Sequence, residues 1–186
     1  MQQVLALKKA CLTKESILAL ANALKQPDVF QSLRYLDVSE NYIQSEEVML
    51  TLIDSLKYLE ALEYLDLSQN FVGDTSACAL AKSLKGHINI TNLRLDCVQI
   101  GPVALSSLKY HLRSCEKLAN LSMAENYFGQ QALEFAAVLH PDGKLVFMFL
   151  FLSHIRRRMT FRNNLDRSFA KGVWLTQCFP QHPHTC

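Results

Sequence analysis

This sequence lacks the motifs that usually mark an enzyme. It contains no Gly-rich phosphate loop, no Gly-x-Ser-x-Gly nucleophile elbow and no His-Glu-x-x-His pair, so a non-enzyme is expected. Its longest apolar run, Leu145 to Leu152, has eight residues, far short of the roughly 20 that cross a bilayer as a helix. Met1 to Lys9 places a short apolar patch before two lysines, the reverse of the order in a secretory signal. A soluble, cytoplasmic protein without a membrane partner is the resulting expectation. Six cysteines, at 11, 78, 97, 115, 178 and 186, form no Cys-x-x-Cys, and Cys11, Cys78 and Cys115 fall at helical or helix-end positions. Reduced, partly buried thiols are therefore expected, in keeping with a reducing compartment. His182-x-His184-x-Cys186 offers donors but has prolines between them and no second cluster, so no metal and no cofactor is expected. Asn89-Ile90-Thr91 matches a glycosylation acceptor, which has meaning only in a secreted chain.

What is present is enough for one domain. The 186 residues are 49% apolar and 19% charged, too apolar for a disordered chain and of ordinary domain length. The net charge of +2 hides an asymmetry. Residues 141–186 carry seven Lys/Arg against Asp142 and Asp166, whereas residues 1–140 carry 12 basic and 15 acidic groups. Two compositions meet near Pro141-Asp142-Gly143.

An internal repeat organises the first of them. Segments starting at Leu33, Leu62, Ile90 and Leu118, spaced by 29, 28 and 28 residues, each have apolar residues at offsets 0, 3, 5 and 10. Three carry Asn at offset 8, namely Asn41, Asn70 and Asn126; the third copy has Val98 there. An eroded copy lies earlier, at Leu5, Leu7, Ala10 and Leu12. Offsets 3 and 5 alternate, the period of a strand with one buried face, and so short a strand must stack on a copy of itself. The Asn stands where the chain leaves the strand, and its amide can bond backbone groups that the turn leaves unpaired. Val98 requires that the third turn satisfy its backbone in another way.

The second half of each unit has helical spacing. Leucines four apart recur at Leu20/Leu24, Leu52/Leu56, Leu80/Leu84 and Leu108/Leu112. Asp74 stands at the expected N-cap of the helix that follows it, and Pro102 follows Gly101 at a first helical position. Each unit is thus strand, turn, helix and return. The expected fold is α/β: a solenoid of four to five repeats with a curved parallel sheet inside and helices outside.

The stretch Leu62-Glu63-Tyr64-Leu65-Asp66-Leu67-Ser68-Gln69-Asn70-Phe71-Val72-Gly73-Asp74, with its helix, resembles a leucine-rich repeat of the 28–29-residue ribonuclease-inhibitor type. That class also occurs in NOD-like receptors and Ran GTPase-activating proteins. The resemblance covers about residues 2–140 and implies the fold, but does not choose among those families, because the matching positions are the buried ones. It implies ligand binding inside the curve. A GTPase-activating function would require an arginine or amide that reaches a bound nucleotide; Arg34 and Arg94 lie on the sheet side, yet neither stands in a family motif.

Beyond the solenoid of residues 1–140, residues 141–155 form a candidate fifth repeat strand, with Leu145, Met148, Leu150, Ser153 and Ile155 at offsets 0, 3, 5, 8 and 10. Residues 156–186 read as a basic, aperiodic tail, either disordered or folded as a cap, and resemble an unrelated coding end. No evident polar cap closes either end, so the chain also reads as a truncated form of a larger repeat-containing receptor or scaffold. Arg156 to Arg158 with Arg162 read as a solvated charge run, and no nucleic-acid partner is expected.

The inward positions between the leucines supply the candidate site. Offset 2 holds Tyr35, Tyr64, Asn92 and Asn120; offset 4 holds Asp37, Asp66, Arg94 and Ser122; offset 6 holds Ser39, Ser68, Asp96 and Ala124. Strands about 4.8 Å apart make Tyr35 and Tyr64 neighbours, and likewise Asp37 and Asp66. Aromatics beside acids suit a basic protein partner. The candidate partner-binding residues are therefore Tyr35, Asp37, Tyr64, Asp66, Arg94 and Asp96. In a fifth strand, Phe147, Phe149 and Phe151 would face the same way, as a partner site or an aggregation liability; the plainer alternative is a tail folded over them or a different register of this strand.

Overall fold

The computed structural model describes residues 3–128 except Gly86 and Ile88, together with the strand backbone of residues 147–151 and 173–176. Strand β1 (Gln3–Ala6) leads to α1 (Lys14–Ala23) and a single helical turn, α2 (Pro27–Phe30). Three strand–helix units follow: β2 (Leu33–Asp37) with α3 (Glu46–Leu56), β3 (Tyr64–Asp66) with α4 (Gly73–Leu84), and β4 (Asn92–Arg94) with α5 (Pro102–His111). Strands β5 (Asn120–Ser122), β6 (Phe147–Phe151) and β7 (Val173–Thr176) complete a sheet whose order is the order of the sequence, with every neighbouring pair parallel.

The repeat offset sets the register. Leu5, Leu36, Leu65, Leu93, Leu121 and Met148 lie opposite one another across the strands. Leu36, Leu65, Leu93 and Leu121 are fully buried, and they share one continuous core with the helix leucines Leu52, Leu56, Leu80, Leu84 and Leu108. Each long helix packs on the next, α1 on α3, α3 on α4 and α4 on α5, so a unit buries its apolar stripe against both its own strand and its neighbours. No unit has this core by itself.

The asparagine positions are the polar counterpart of the leucines. Asn70 Nδ2 donates to the carbonyls of Leu67 and Ser68 in its own turn and of Val38 in the preceding one, while Oδ1 accepts from the Ile43 N–H. Asn126 repeats the scheme on Met123, Ala124 and Leu95, and accepts from Val98 and Ile100. Where Val98 replaces Asn, its backbone carbonyl accepts from the N–H groups of Val72 and Gly73, both at 3.1 Å. A main-chain oxygen thus takes the place of the side-chain oxygen, and the buried Val98 side chain is free to join the core.

The turns share a second constant. Lys9, Glu40, Gln69, Cys97 and Glu125, all one residue before the asparagine position, have left-handed φ of 53–56°. Such a backbone costs a non-glycine residue about 1–2 kcal/mol, and after Glu40, Gln69 and Glu125 the amide bonds of the following asparagine tie down the turn.

Two local expectations are corrected. Asp74 does not cap its own helix: α4 begins at Gly73, and Asp74 Oδ1 accepts instead from the N–H groups of Gly101, at 2.6 Å, and Ala104, at 3.4 Å, at the start of α5. The repeat brings one helix start beside the next, so the carboxylate reaches the neighbour's unsatisfied donors. Cys11 is neither helical nor partly buried; it lies in an exposed turn with φ 52°, whereas Cys78 is half-buried in α4 and Cys115 is buried. Burial pushes the Cys115 thiol up to about 11, which keeps it protonated and inert.

Strand β6 pairs with β5, with Met148 opposite Leu121, and β7 adds a seventh strand inside the stretch read as aperiodic. The readings of Leu145, Ser153 and Ile155, of the tail over 156–172 and 177–186, of the Phe147, Phe149 and Phe151 side chains, and of the His182–Cys186 cluster lie outside the described residues.

Candidate functional site

Residues that alternate with the buried leucines place polar groups and rings in two rows along the sheet. In the first row Tyr35 lies opposite Tyr64, followed by Asn92 and Asn120. The tyrosine rings stack with centroids 4.2 Å apart and planes inclined by 8°. The row continues as an amide ladder, Asn120 Nδ2 donating to Asn92 Oδ1 at 2.6 Å and Asn92 Nδ2 to Thr91 Oγ1 at 2.8 Å.

The second row holds Asp37, Asp66, Arg94 and Ser122. Asp37 Oδ1 accepts from the N–H and Oγ of Ser39, and Asp66 Oδ1 accepts from the Ser68 N–H. These carboxylates close the strand-to-turn bend two residues ahead, as Asx side chains do. Asp96 works across units instead, with Oδ1 accepting from Ser122 Oγ at 2.6 Å and from the Ala124 N–H at 2.7 Å.

Arg94 links the rows. Its guanidinium lies 3.6 Å from Asp66 Oδ2 and 3.2 Å from Asp96 Oδ2, while the Tyr64 hydroxyl donates to Asp66 Oδ2 at 3.3 Å. Burial pushes the Asp66 carboxyl above its ordinary value, against the pull of the Ser68 bonds and the Arg94 charge, with nearby Asp37 adding to the rise. Burial, helped by the Asp66 charge, also pushes the Tyr64 phenol up, so Tyr64 remains a neutral donor.

All six candidate residues therefore lie on one face, side by side. They do not present their charges equally, however: Asp37 and Asp66 are only 7% and 4% exposed. The accessible surface consists of the stacked rings, Arg94 and, in part, Asp96. The rim is occupied by ion pairs, Arg34 with Glu63, and Lys8 and Lys9 with Glu40 at 2.8 and 2.7 Å. Arg34 and Arg94, the two arginines of the sheet side, are thus both engaged with carboxylates.

One set of surface residues was missed from sequence. Tyr42 and Tyr127 are 61% and 58% exposed, both at offset 9, where Phe71 and Gln99 stand in the other units. The common offset was the available signal. Among the described residues no group of three or more His, Cys, Asp or Glu is placed to hold a metal ion, and no helix is long and apolar enough to cross a membrane.

No family model matches the chain, and no curated protein matches it in sequence. Solved structures do resemble it. One is the actin-binding site 2 of leiomodin-1, at 18% identity and a TM-score of 0.59 over 78% of this chain and 82% of that one. Another is the tropomodulin C-terminal domain of Caenorhabditis elegans, at 16% identity and a TM-score of 0.61 over 74% and 81%. At these identities the shared property is the fold alone.

Proposed function

We propose that this chain is a non-catalytic protein-interaction module, a leucine-rich-repeat solenoid of the ribonuclease-inhibitor-like type that binds a protein partner on the concave, sheet side. The solenoid spans residues 1–140, a fifth repeat strand falls within 141–155, and 156–186 is a basic extension. The observation that carries the reading is the Tyr35–Tyr64 stack beside the Tyr64–Asp66–Arg94–Asp96 chain of contacts. Two flat rings held parallel supply apolar contact area with little side-chain entropy left to lose, and a preset arginine supplies directional donors. Asp37 completes the row by holding the turn of its unit. The partner is a protein. Actin is the first to test, because one structural neighbour is an actin-binding site of leiomodin-1. The setting is cytoplasmic, with no cofactor.

A GTPase-activating role of the Ran type is the weaker reading, since Arg34 is paired with Glu63 and Arg94 lies between two carboxylates, whereas such chemistry needs a side chain that reaches the nucleotide. Phosphate release from a Ran-type GTPase, unchanged by the chain, is the expected result. A truncated form of a larger repeat protein would use the same face.

The deciding experiment is capture of partners by the full chain and by a Tyr64→Ala/Asp66→Asn double variant, with filamentous and monomeric actin as defined probes. About tenfold weaker binding by the variant is expected if the stack is an anchor. Equal binding by both proteins would remove the sheet face as the site.

A further inference from the structure

One buried position recurs in the return segments of three units. Leu59, His87 and Cys115 stand 28 residues apart, and each is 5% exposed or less. Each donates its N–H to the carbonyl three residues before it, Leu56, Leu84 and Leu112, at 2.9, 2.9 and 3.0 Å. Leu56 and Leu84 are the last residues of α3 and α4, where carbonyls run out of partners within the helix. A polar side chain at the recurring position reaches back one unit to those carbonyls. The Cys115 thiol donates to the Leu84 carbonyl at 3.5 Å, and the His87 ring lies against the carbonyls of Leu56 and Leu59. Leu59 has no donor to offer.

Of the two polar side chains only the imidazole changes charge near neutral pH; burial pushes the Cys115 thiol up to about 11. His87 Nδ1 is enclosed and has no hydrogen-bond partner among the described residues, so a proton added there meets no acceptor. Burial pushes the pKa of the ring below its ordinary 6.5, while the Leu59 and Leu56 carbonyls and the Glu60 charge pull the other way. The return segments carry Lys57 and Glu60 after α3, Lys85 after α4, and Arg113, Glu116 and Lys117 after α5, all exposed; Glu63 is paired with Arg34. Among the described residues, Glu60 is the one charged group that acts on the ring. A buried imidazolium is therefore left poorly compensated, and such a charge is costly. The folded chain takes up this proton less readily than the unfolded one, so the stability linked to the ring is fully present above 6.5 and is lost as pH falls below it.

The ring sits on a seam held by few other bonds. Asn89 Nδ2 donates to the Glu60 carbonyl at 3.1 Å, and the N–H groups of Thr91 and Asn92 both donate to the Glu63 carbonyl, at 2.8 and 3.1 Å. We infer that His87 is a proton-operated latch on the seam between the return segments that follow α3 and α4. A neutral ring keeps the seam closed. A protonated ring leaves its slot for water, and the bonds from Asn89, Thr91 and Asn92 open with it. The device stands apart from the reading of the sheet face as a binding surface.

The test is amide hydrogen exchange of the full chain, read by mass spectrometry at about pH 7.5 and about pH 5.5, for wild type, His87→Cys and His87→Leu. The variants carry the residues found at the same position in the neighbouring units, and comparing proteins at one pH cancels the intrinsic exchange chemistry. At the lower pH, residues 56–63 of wild type are expected to lose about tenfold more protection than in either variant, as uptake of one proton requires, with residues 3–23 alike in all three. The same pH response in wild type and both variants would overturn the inference. Loss of protection spread evenly over the chain would overturn it too, because unfolding would then be global rather than local to the seam. A pH titration of the wild-type ring by nuclear magnetic resonance needs no variant to fold: a ring that titrates at its ordinary 6.5 while residues 56–63 stay protected would also overturn it. No partner enters these measurements, so their failure leaves the sheet-face reading standing.

Discussion

Asp66 shows how one residue can serve the fold and the candidate site at once. One oxygen closes the turn through Ser68, and the other faces Tyr64 and Arg94. Burial raises its folded-state pKa above the ordinary 3.8, so the folded chain takes up this proton more readily than the unfolded chain. The stability linked to the group is then fully present below the ordinary value and is lost as pH rises through the folded one. Asp66→Asn removes that dependence. The melting temperature of the variant relative to wild type is therefore expected to be higher at pH 7 than at pH 4, measured by thermal denaturation at both. A difference that does not change with pH would refute the assignment. The position of Asp66 beside Tyr64 was legible from the strand period alone. Its burial was not, because a face called inward by alternation is open or closed according to what the next unit places over it.

At the scale of the element, the turn rather than the strand or helix makes these units specific. Asn70→Ala removes three carbonyl contacts and leaves the buried Ile43 N–H without an acceptor, a loss of about 2–3 kcal/mol. Restoring the pattern with Val98→Asn is expected to destabilise as well, by about 1–3 kcal/mol, because the Val98 carbonyl already serves Val72 and Gly73 and its side chain is fully buried. Urea melts of the two variants measure both losses; a gain in stability for Val98→Asn would show that the third turn is deficient. The need for an asparagine was readable from its offset. The answer to its absence was not, since a main-chain oxygen leaves no trace in residue type. The left-handed residues before it were equally hidden, being Lys, Glu, Gln and Cys rather than glycine. The position of Asp74 marks it as a cap, but the helix it serves is the neighbour's.

For the whole molecule, stability depends on position in the stack. Leu65 and Leu5 occupy the same repeat position, yet Leu65 is fully buried between neighbouring units and Leu5, on the end strand, is only half-buried. Leu65→Ala is expected to cost about 3 kcal/mol and Leu5→Ala about 1 kcal/mol or less. Denaturant titration should show one cooperative transition for both variants, with only the first strongly shifted, because each unit draws its core from its neighbours. Equal losses would mean that the first strand is covered as fully as an interior one.

The sequence by itself determined the period, the strand and helix halves of each unit, the leucine row and the face on which Tyr35, Tyr64, Asp66 and Arg94 meet. These follow from alternation and helical spacing, which are properties of a chain read one unit at a time. Only the tertiary structure decided which carboxylates are buried, that Arg94 bridges Asp66 and Asp96, that Asp74 caps α5 and that Tyr42 and Tyr127 stand out on the turn edge. Each of these depends on groups about one repeat apart being brought side by side. Exposure, hydrogen bonding and charge compensation are properties of that juxtaposition rather than of either residue.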